Sequence, residues 1–531
     1  MGILFHPRPN LTTMRVLKIF YLFAITAILG FSACQPSAPA PDDSLTFIPE
    51  QASMVTAIRP AQLMEKADFK AIQQSEGYQQ MLQEARETNP VLAKVMEQPE
   101  SSGIALDKNF YITMEMRDKQ EPFVAISMSM ADPQAFEALL ESVEVEIQPA
   151  SKGYRFAGTP GENSLAWNDK VAIIGISKGG TDAQAELQRY LETKPKASIA
   201  QNRDLRQALA QDFDVANWFS SDFFLHSEIA KNSTILLNYD AETLSGNYVQ
   251  HFLTFDKGKV HSQTAFHLKK RLANDLSMFF RNKVKTDFIS AAPQGTPLFL
   301  MATAFDMDGI NQLLVEKYSK GLSEGMLKKY GISTNTVLKA LQGDILLTAY
   351  APEGATEKPA LLFAAKIGDE KALNTLFEAA IKEKQIEKTG DNRYQLLEVK
   401  NEVKTDSGST TVTMDIKGQA LVHNGLLFLA SEPALLDKVE SGQVGLKDGI
   451  ATRAGQLIGQ HIFTALGDID ALSPHMDSDA VQSVEATANR KGTDLILYMK
   501  DQDNNSLKFL IEQIKKEKPA DAPAPVGGSE I

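Results

Sequence analysis

Two distant stretches of the chain carry one pattern of apolar and polar positions. In residues 122–141, PFVAISMSMADPQAFEALLE, an apolar run gives way to Asp132, then to Phe136, Leu139 and Leu140 and, beyond, Val143. In residues 359–378, PALLFAAKIGDEKALNTLFE, the same order returns without a gap, with Asp369 leading Ala372, Leu373, Leu376, Phe377 and Ala380. An apolar run of this length predicts a buried strand, and apolar residues three and four apart predict the inner face of a helix. Asp132 and Asp369 stand where a side-chain oxygen can cap the helix, and Pro133 suits the first helical position.

The surroundings repeat as well. LDKNFYITME before the first block resembles LQGDILLTAY before the second, and NSLAWNDKVAIIGIS resembles GQALVHNGLLFLAS. In the last pair Asn168-Asp169 and Asn424-Gly425 lie between alternating runs, a hairpin signal. Farther upstream, IPEQASMVTAI and APQGTPLFLMA each read as a proline-led entry into a strand. Each copy is followed by further strand pattern. In the first, DKG predicts a three-residue hairpin loop with Gly258 at positive φ. In the second, TDLILYMK, a polar turn and an apolar helix close the pattern. The fold class expected is α+β, two related repeats of antiparallel sheet with helices packed on one face, at residues 45–290 and 291–514.

Outside this body the pattern changes. Arg15 and Lys18 precede an apolar run from Ile19, and Gly30, Ser32 and Ala33 lead to Cys34, the only cysteine of 531 residues. That order predicts a signal peptide over residues 1–33, with Met14 as an alternative start, and lipidation of Cys34 after cleavage. Several acyl chains would then hold the protein to a lipid bilayer, at about 0.8 kcal/mol per buried methylene. Residues 34–44 read as the acylated cysteine and a flexible linker, and residues 515–531 as a disordered tail. With Cys34 acylated, disulfides, thiolate metal sites and a cysteine nucleophile are excluded from the body. A formal net charge of -13 argues against nucleic acid as a partner.

Together, Cys34, the linker, Ile48-Pro49, Ala52, Val55 and Lys66-Ala67-Asp68, with Asn505-Ser506-Leu507 near the end, resemble an uncharacterised lipoprotein family of Bacteroides-type Gram-negative bacteria, a domain of unknown function. The resemblance implies an envelope lipoprotein and assigns no catalytic residue. In surface-exported lipoproteins of this group acids follow the cysteine at once, whereas Asp42 and Asp43 come later. The expected location is therefore the outer membrane, facing the periplasm, with exposure at the cell surface as the alternative.

Candidate chemistry is sparse. Asp501, Asp503, Asn505 and Glu512 match positions 1, 3, 5 and 12 of a calcium loop, but Ser506 stands where that loop needs glycine, so a polar turn capping the next helix is expected. A three-residue DKG loop would put His251 and His261 on one sheet face, continued by His267, spread too far for one metal. Asp468, Asp470, His475, Asp477 and Asp479 read as a charged surface loop, and GISKGG lacks the spacing of a phosphate-binding loop. No cofactor is expected. Trp218, Phe219, Phe223 and Phe224 form a dense aromatic segment, which serves either the core or a recognition patch. The function expected is non-enzymatic binding or scaffolding of an envelope protein or glycan. The alternatives are an envelope hydrolase and a self-associating structural lipoprotein.

Overall fold

The computed structural model describes residues 43–88, 90–116, 122–158, 164–176, 182–223, 239–281, 283–286, 289–318, 332–351, 359–404, 410–447, 449–472 and 480–516. These residues hold twenty strands in antiparallel pairing, with helices packed against them, an α+β fold. The first ten strands are β1 (Met54–Ile58), β2 (Phe110–Glu115), β3 (Phe123–Ser129), β4 (Ile147–Ser151), β5 (Tyr154–Gly158), β6 (Ser164–Trp167), β7 (Val171–Ile176), β8 (Val215–Ser220), β9 (Tyr248–Asp256) and β10 (Lys259–His267). The second ten are β11 (Pro297–Ala304), β12 (Leu341–Tyr350), β13 (Ala360–Ile367), β14 (Ile386–Lys388), β15 (Arg393–Lys404), β16 (Thr410–His423), β17 (Leu426–Ala430), β18 (Phe463–Asp468), β19 (Val481–Asn489) and β20 (Gly492–Met499).

Their neighbours follow one plan twice. The first set runs β9-β8-β1-β2-β3-β7-β6-β5-β4. The second runs β19-β18-β11-β12-β13-β17-β16-β15-β14, with β20 beside β19. Each strand of the first set thus has its counterpart ten strands later, as duplication of the sequence pattern requires.

Local chemistry accounts for the matched elements. The helices used below are α1 (Pro60–Lys66), α2 (Pro133–Glu141), α3 (Ala183–Leu191), α4 (Arg203–Leu209), α5 (Lys270–Phe279), α6 (Met307–Tyr318), α7 (Glu370–Lys382), α8 (Pro433–Glu440), α9 (Ile450–Leu457) and α10 (Ser506–Lys516). Asp132 accepts hydrogen bonds from the Gln134 and Ala135 amides at the start of α2, and Asp369 accepts one from Ala372 at the start of α7. Phe136, Leu139 and Leu140 are buried, with the Phe136 ring edge-on to Trp167 at 5.6 Å. Asn424 and Gly425 both take positive φ, 50° and 72°, and close the β16–β17 hairpin as the sequence predicts. Between β9 and β10 only Lys257 and Gly258 remain, so the expected three-residue loop is a two-residue connection, with Gly258 at φ 68°.

By packing, the described residues form two units. The first takes those up to 223, Leu244–Ser262 and those from Asp501 on, and the second takes 239–243 and Gln263–Lys500. The repeat boundary read between residues 290 and 291 divides the chain by sequence order, whereas these units divide it by contact. In the first unit one sheet face is covered by α3 and α4, whose Leu187, Tyr190, Leu205 and Leu209 meet Ala125, Ile173, Ala216 and Phe252. The other face is covered at one end, where Leu63, Phe136, Leu140 and Leu507 of α1, α2 and α10 pack on Ile58, Phe110 and Met128. In the second unit α8 and α9 cover Leu300, Ala302, Leu362 and Phe428, and α7 packs near Leu427.

Candidate functional site

Cys34 and Phe224 lie outside the described residues. Trp218 and Phe219 are neighbours on β8, so strand alternation sends them to opposite faces. Trp218 is buried beside Ala216 and Phe252, stacked on Tyr248 with centroids 6.0 Å apart. It is a packing residue, and the aromatic segment is not a single patch. Phe219 faces the other way, is half-buried, and has its ring 5.1 Å from that of Phe223.

Phe219 belongs to a row. Across six neighbouring strands the paired positions are Val249, Phe219, Met54, Met114, Val124 and Ile176. All six are half-buried and none carries a hydrogen-bonding group. With strands about 4.8 Å apart the row is about 24 Å long. The sequence gives no sign of it, because the row forms only when six strands from separate parts of the chain are set in register.

Two residues along β1, β8 and β9 the chemistry turns polar, while the paired positions on β2, β3 and β7 stay apolar as Ile112, Ile126 and Ile174. Thr56 Oγ1 donates to Asn217 Oδ1 at 2.6 Å, Asn217 Nδ2 lies 3.3 Å from His251 Nδ1, and His251 Nε2 lies 2.9 Å from Ser262 Oγ. The amide nitrogen can only donate, so Nδ1 accepts and the imidazole proton sits on Nε2, facing Ser262. Burial pushes the His251 pKa below its ordinary value, which favours this neutral form. The first unit thus sets an apolar band beside a polar ladder.

The second unit has a comparable band. Leu495, Ala486, Ala465, Met301, Leu347, Phe363 and Leu429 occupy paired positions across seven strands, all half-buried. Nearby on β13, Leu361 is 49% exposed.

The remaining candidates resolve into structure. Asp501 accepts from the Asp503 and Asn504 amides, and Asn505 Oδ1 accepts from the Leu507 amide at the start of α10, so the calcium-like segment is the expected polar turn and cap. The expected pairing of His251 with His261 is corrected. His251 meets Ser262, and His261, the next residue of an alternating strand, points to the opposite face. Asp468 caps a turn at Ala471 and Asp470 pairs with Lys500. His475, Asp477, Asp479 and most of GISKGG lie outside the described residues. Among the described residues no group of three or more histidines, cysteines or acids is placed to hold a metal.

Buried charge serves as fastening. Asp214, fully buried before β8, accepts from Lys66 Nζ at 2.7 Å and from the Phe255 amide at 2.6 Å. Burial pushes its carboxyl above the ordinary range, against the pull of Lys66 and the amide. Arg59 donates to the carbonyls of Phe213, Gln211 and Leu209 and stacks 3.8 Å from the Phe213 ring centroid. In the second unit Arg281 pairs with buried Asp344. A shallow cleft of about 520 Å³ in the first unit is lined by Gln51, Gln188, Arg189 and Glu192 together with Pro49 and Ala185.

The family described as a domain of unknown function (DUF4836) matches residues 45–431. The chain belongs to that family. The match takes in all of the first set of strands and the second set through β17, with the half-buried row of Phe219 inside it. No curated protein matches the chain. Among solved structures, crystal form I of TP0453 is similar at 11% identity over 43% of this chain and 80% of that one, with a TM-score of 0.24. Crystal form IV gives 12%, 42%, 80% and 0.27, and crystal form III gives 13%, 45%, 87% and 0.26. Superpositions this loose carry no argument. Among the described residues no helix is long and apolar enough to cross a membrane.

Proposed function

We propose that this member of the family is a lipid-anchored envelope protein that works by binding another envelope component, and that the row from Val249 to Ile176 is where it binds. The row carries the reading: six apolar side chains on six strands, half-buried and none fully buried, with an aromatic pair, Phe219 and Phe223, on its β8 side. Aromatic and methionine side chains are enriched at the cores of surfaces where proteins meet. A glycan would need hydrogen-bonding partners that the row lacks, so the partner expected is a protein that presents apolar side chains. Acylation of Cys34 would fix the body to the outer membrane of a Bacteroides-type envelope, on the periplasmic side. Mass spectrometry of the protein from its native host tests the anchor. A bare thiol at Cys34 would remove it.

Binding is tested with the body of the protein, from residue 43, as bait in envelope extract. Phe219→Ser and Met114→Ser should each lose the captured protein while far-UV circular dichroism stays unchanged. Equal capture by both variants would overturn the assignment of the row. Flotation of the unacylated body with vesicles, abolished by the same substitutions, would assign the row to lipid instead.

A further inference from the structure

The helix that follows the tenth strand is placed in an unexpected unit, and this happens twice. Helix α10 follows β20, the last strand of the second repeat, yet belongs to the first unit, where it contacts α1 and β9. Helix α5 follows β10, the last strand of the first repeat, yet belongs to the second unit, where it contacts α6. Since α1 follows β1 and α6 follows β11, the two placements are equivalent. Each unit is completed by the terminal helix of the other repeat.

The seat for α10 is specific. Asn505 Nδ2 donates to the Phe255 carbonyl at 2.7 Å, and the Gly258 amide donates to the Asn504 carbonyl at 3.0 Å. Lys508 Nζ meets Asp68 Oδ2 at 2.8 Å. Leu507 and Phe509 are buried, Leu507 in a core with Leu63, Ala67 and Ile58. Gly258 has positive φ, and a Cβ there would meet Gln502 at 3.0 Å or less, so the position suits glycine on two counts. Residues from the two ends of the sequence, Lys66-Ala67-Asp68 and Asn505-Ser506-Leu507, thus build one seat. In the second unit the Asp306 amide donates to the Phe279 carbonyl at 2.9 Å, and Gly309 leaves room for the Met278 carbonyl where a Cβ would clash.

Exchange of one identical element between two copies of a fold is the signature of segment swapping, and here both copies lie in one chain. We propose that the first unit's seat for residues 501–516 is an interaction surface whose second partner is the same segment of another copy of this chain, giving a segment-swapped dimer. The only hinge needed is the short polar turn between β20 and α10, residues 500–505. A hinge made too short for the segment to return to its own first unit leaves a neighbour's as the place where Leu507 and Phe509 can be buried.

The experiment uses the full chain with Lys500 and Asp501 deleted, which shortens the hinge and keeps Gln502, Asn504 and Asn505 for the seat, followed by light scattering. A dimer is expected, and Leu507→Asp in the same chain should return it to monomer. A monomer without the second substitution, or a dimer that survives it, would overturn the proposal. The undeleted chain gives an independent reading if the deletion prevents folding. Unfolded and refolded at rising protein concentration, it should yield a growing dimer fraction that Leu507→Asp abolishes. No such fraction, or one indifferent to residue 507, would refute the swap.

Discussion

Single buried side chains fasten this protein, and Asp214 shows how that can be measured. Burial raises its carboxyl pKa in the folded state, so the folded protein binds this proton more tightly than the unfolded chain does. The stability this group contributes is therefore fully present below the ordinary aspartate value and is lost as pH rises through the folded value. Asp214→Asn cannot titrate, so its melting temperature relative to the parent should increase from pH 3 to pH 7. A flat difference would show that the Lys66 ammonium cancels burial. At Asp501 both carboxylate oxygens are already engaged by Asp503 and Asn504. Calcium should therefore give no binding heat at millimolar concentration in calorimetry. Caps and turns of this kind were legible in the sequence because they depend on neighbours two or three positions away. The separation of Trp218 from Phe219 was legible too, once β8 was placed. How deeply each of its faces would be buried was not, since alternation says which residues share a face and nothing of what packs on it.

At the level of elements, the repeated strand and helix units should behave as copies. Asp132 caps α2 in the first unit and Asp369 caps α7 in the second. Replacing either with alanine should cost about 1 kcal/mol. In units of this size that is roughly 2–4 °C. Each change should move one unfolding transition and spare the other, as calorimetry would show. The strand before each helix, the cap and the apolar stripe were readable because they are contiguous and short-ranged. The β9–β10 hairpin was misjudged by one residue. A glycine at positive φ is compatible with loops of either length, and the shift by one residue moved His261 to the other face.

For the molecule as a whole, duplication was visible in the sequence and the exchange of terminal helices was not. Nothing local distinguishes a helix that folds onto its own repeat from one that folds onto its sibling, because Leu507, Leu510 and Ile511, three and four positions apart, make the same stripe in either place. The consequence is a prediction that runs against sequence order. Leu507→Ala, placed after the last strand of the second repeat, should destabilise the first unit by about 2–3 kcal/mol. Phe280→Ala, at the end of the first repeat's helix, should destabilise the second unit, where its ring stacks on Phe305 at 5.4 Å. Two resolved calorimetric transitions that respond in the opposite assignment would contradict this. The seat on α1 also sets a clock. Residues 501–516 leave the ribosome after every strand of both repeats, and at about 5–20 residues per second the first unit waits on the order of tens of seconds for its last helix. A chain built this way leaves its first unit unfinished until every strand of both repeats has been made, and a chain with an unfinished domain is one that can still be threaded through a narrow pore.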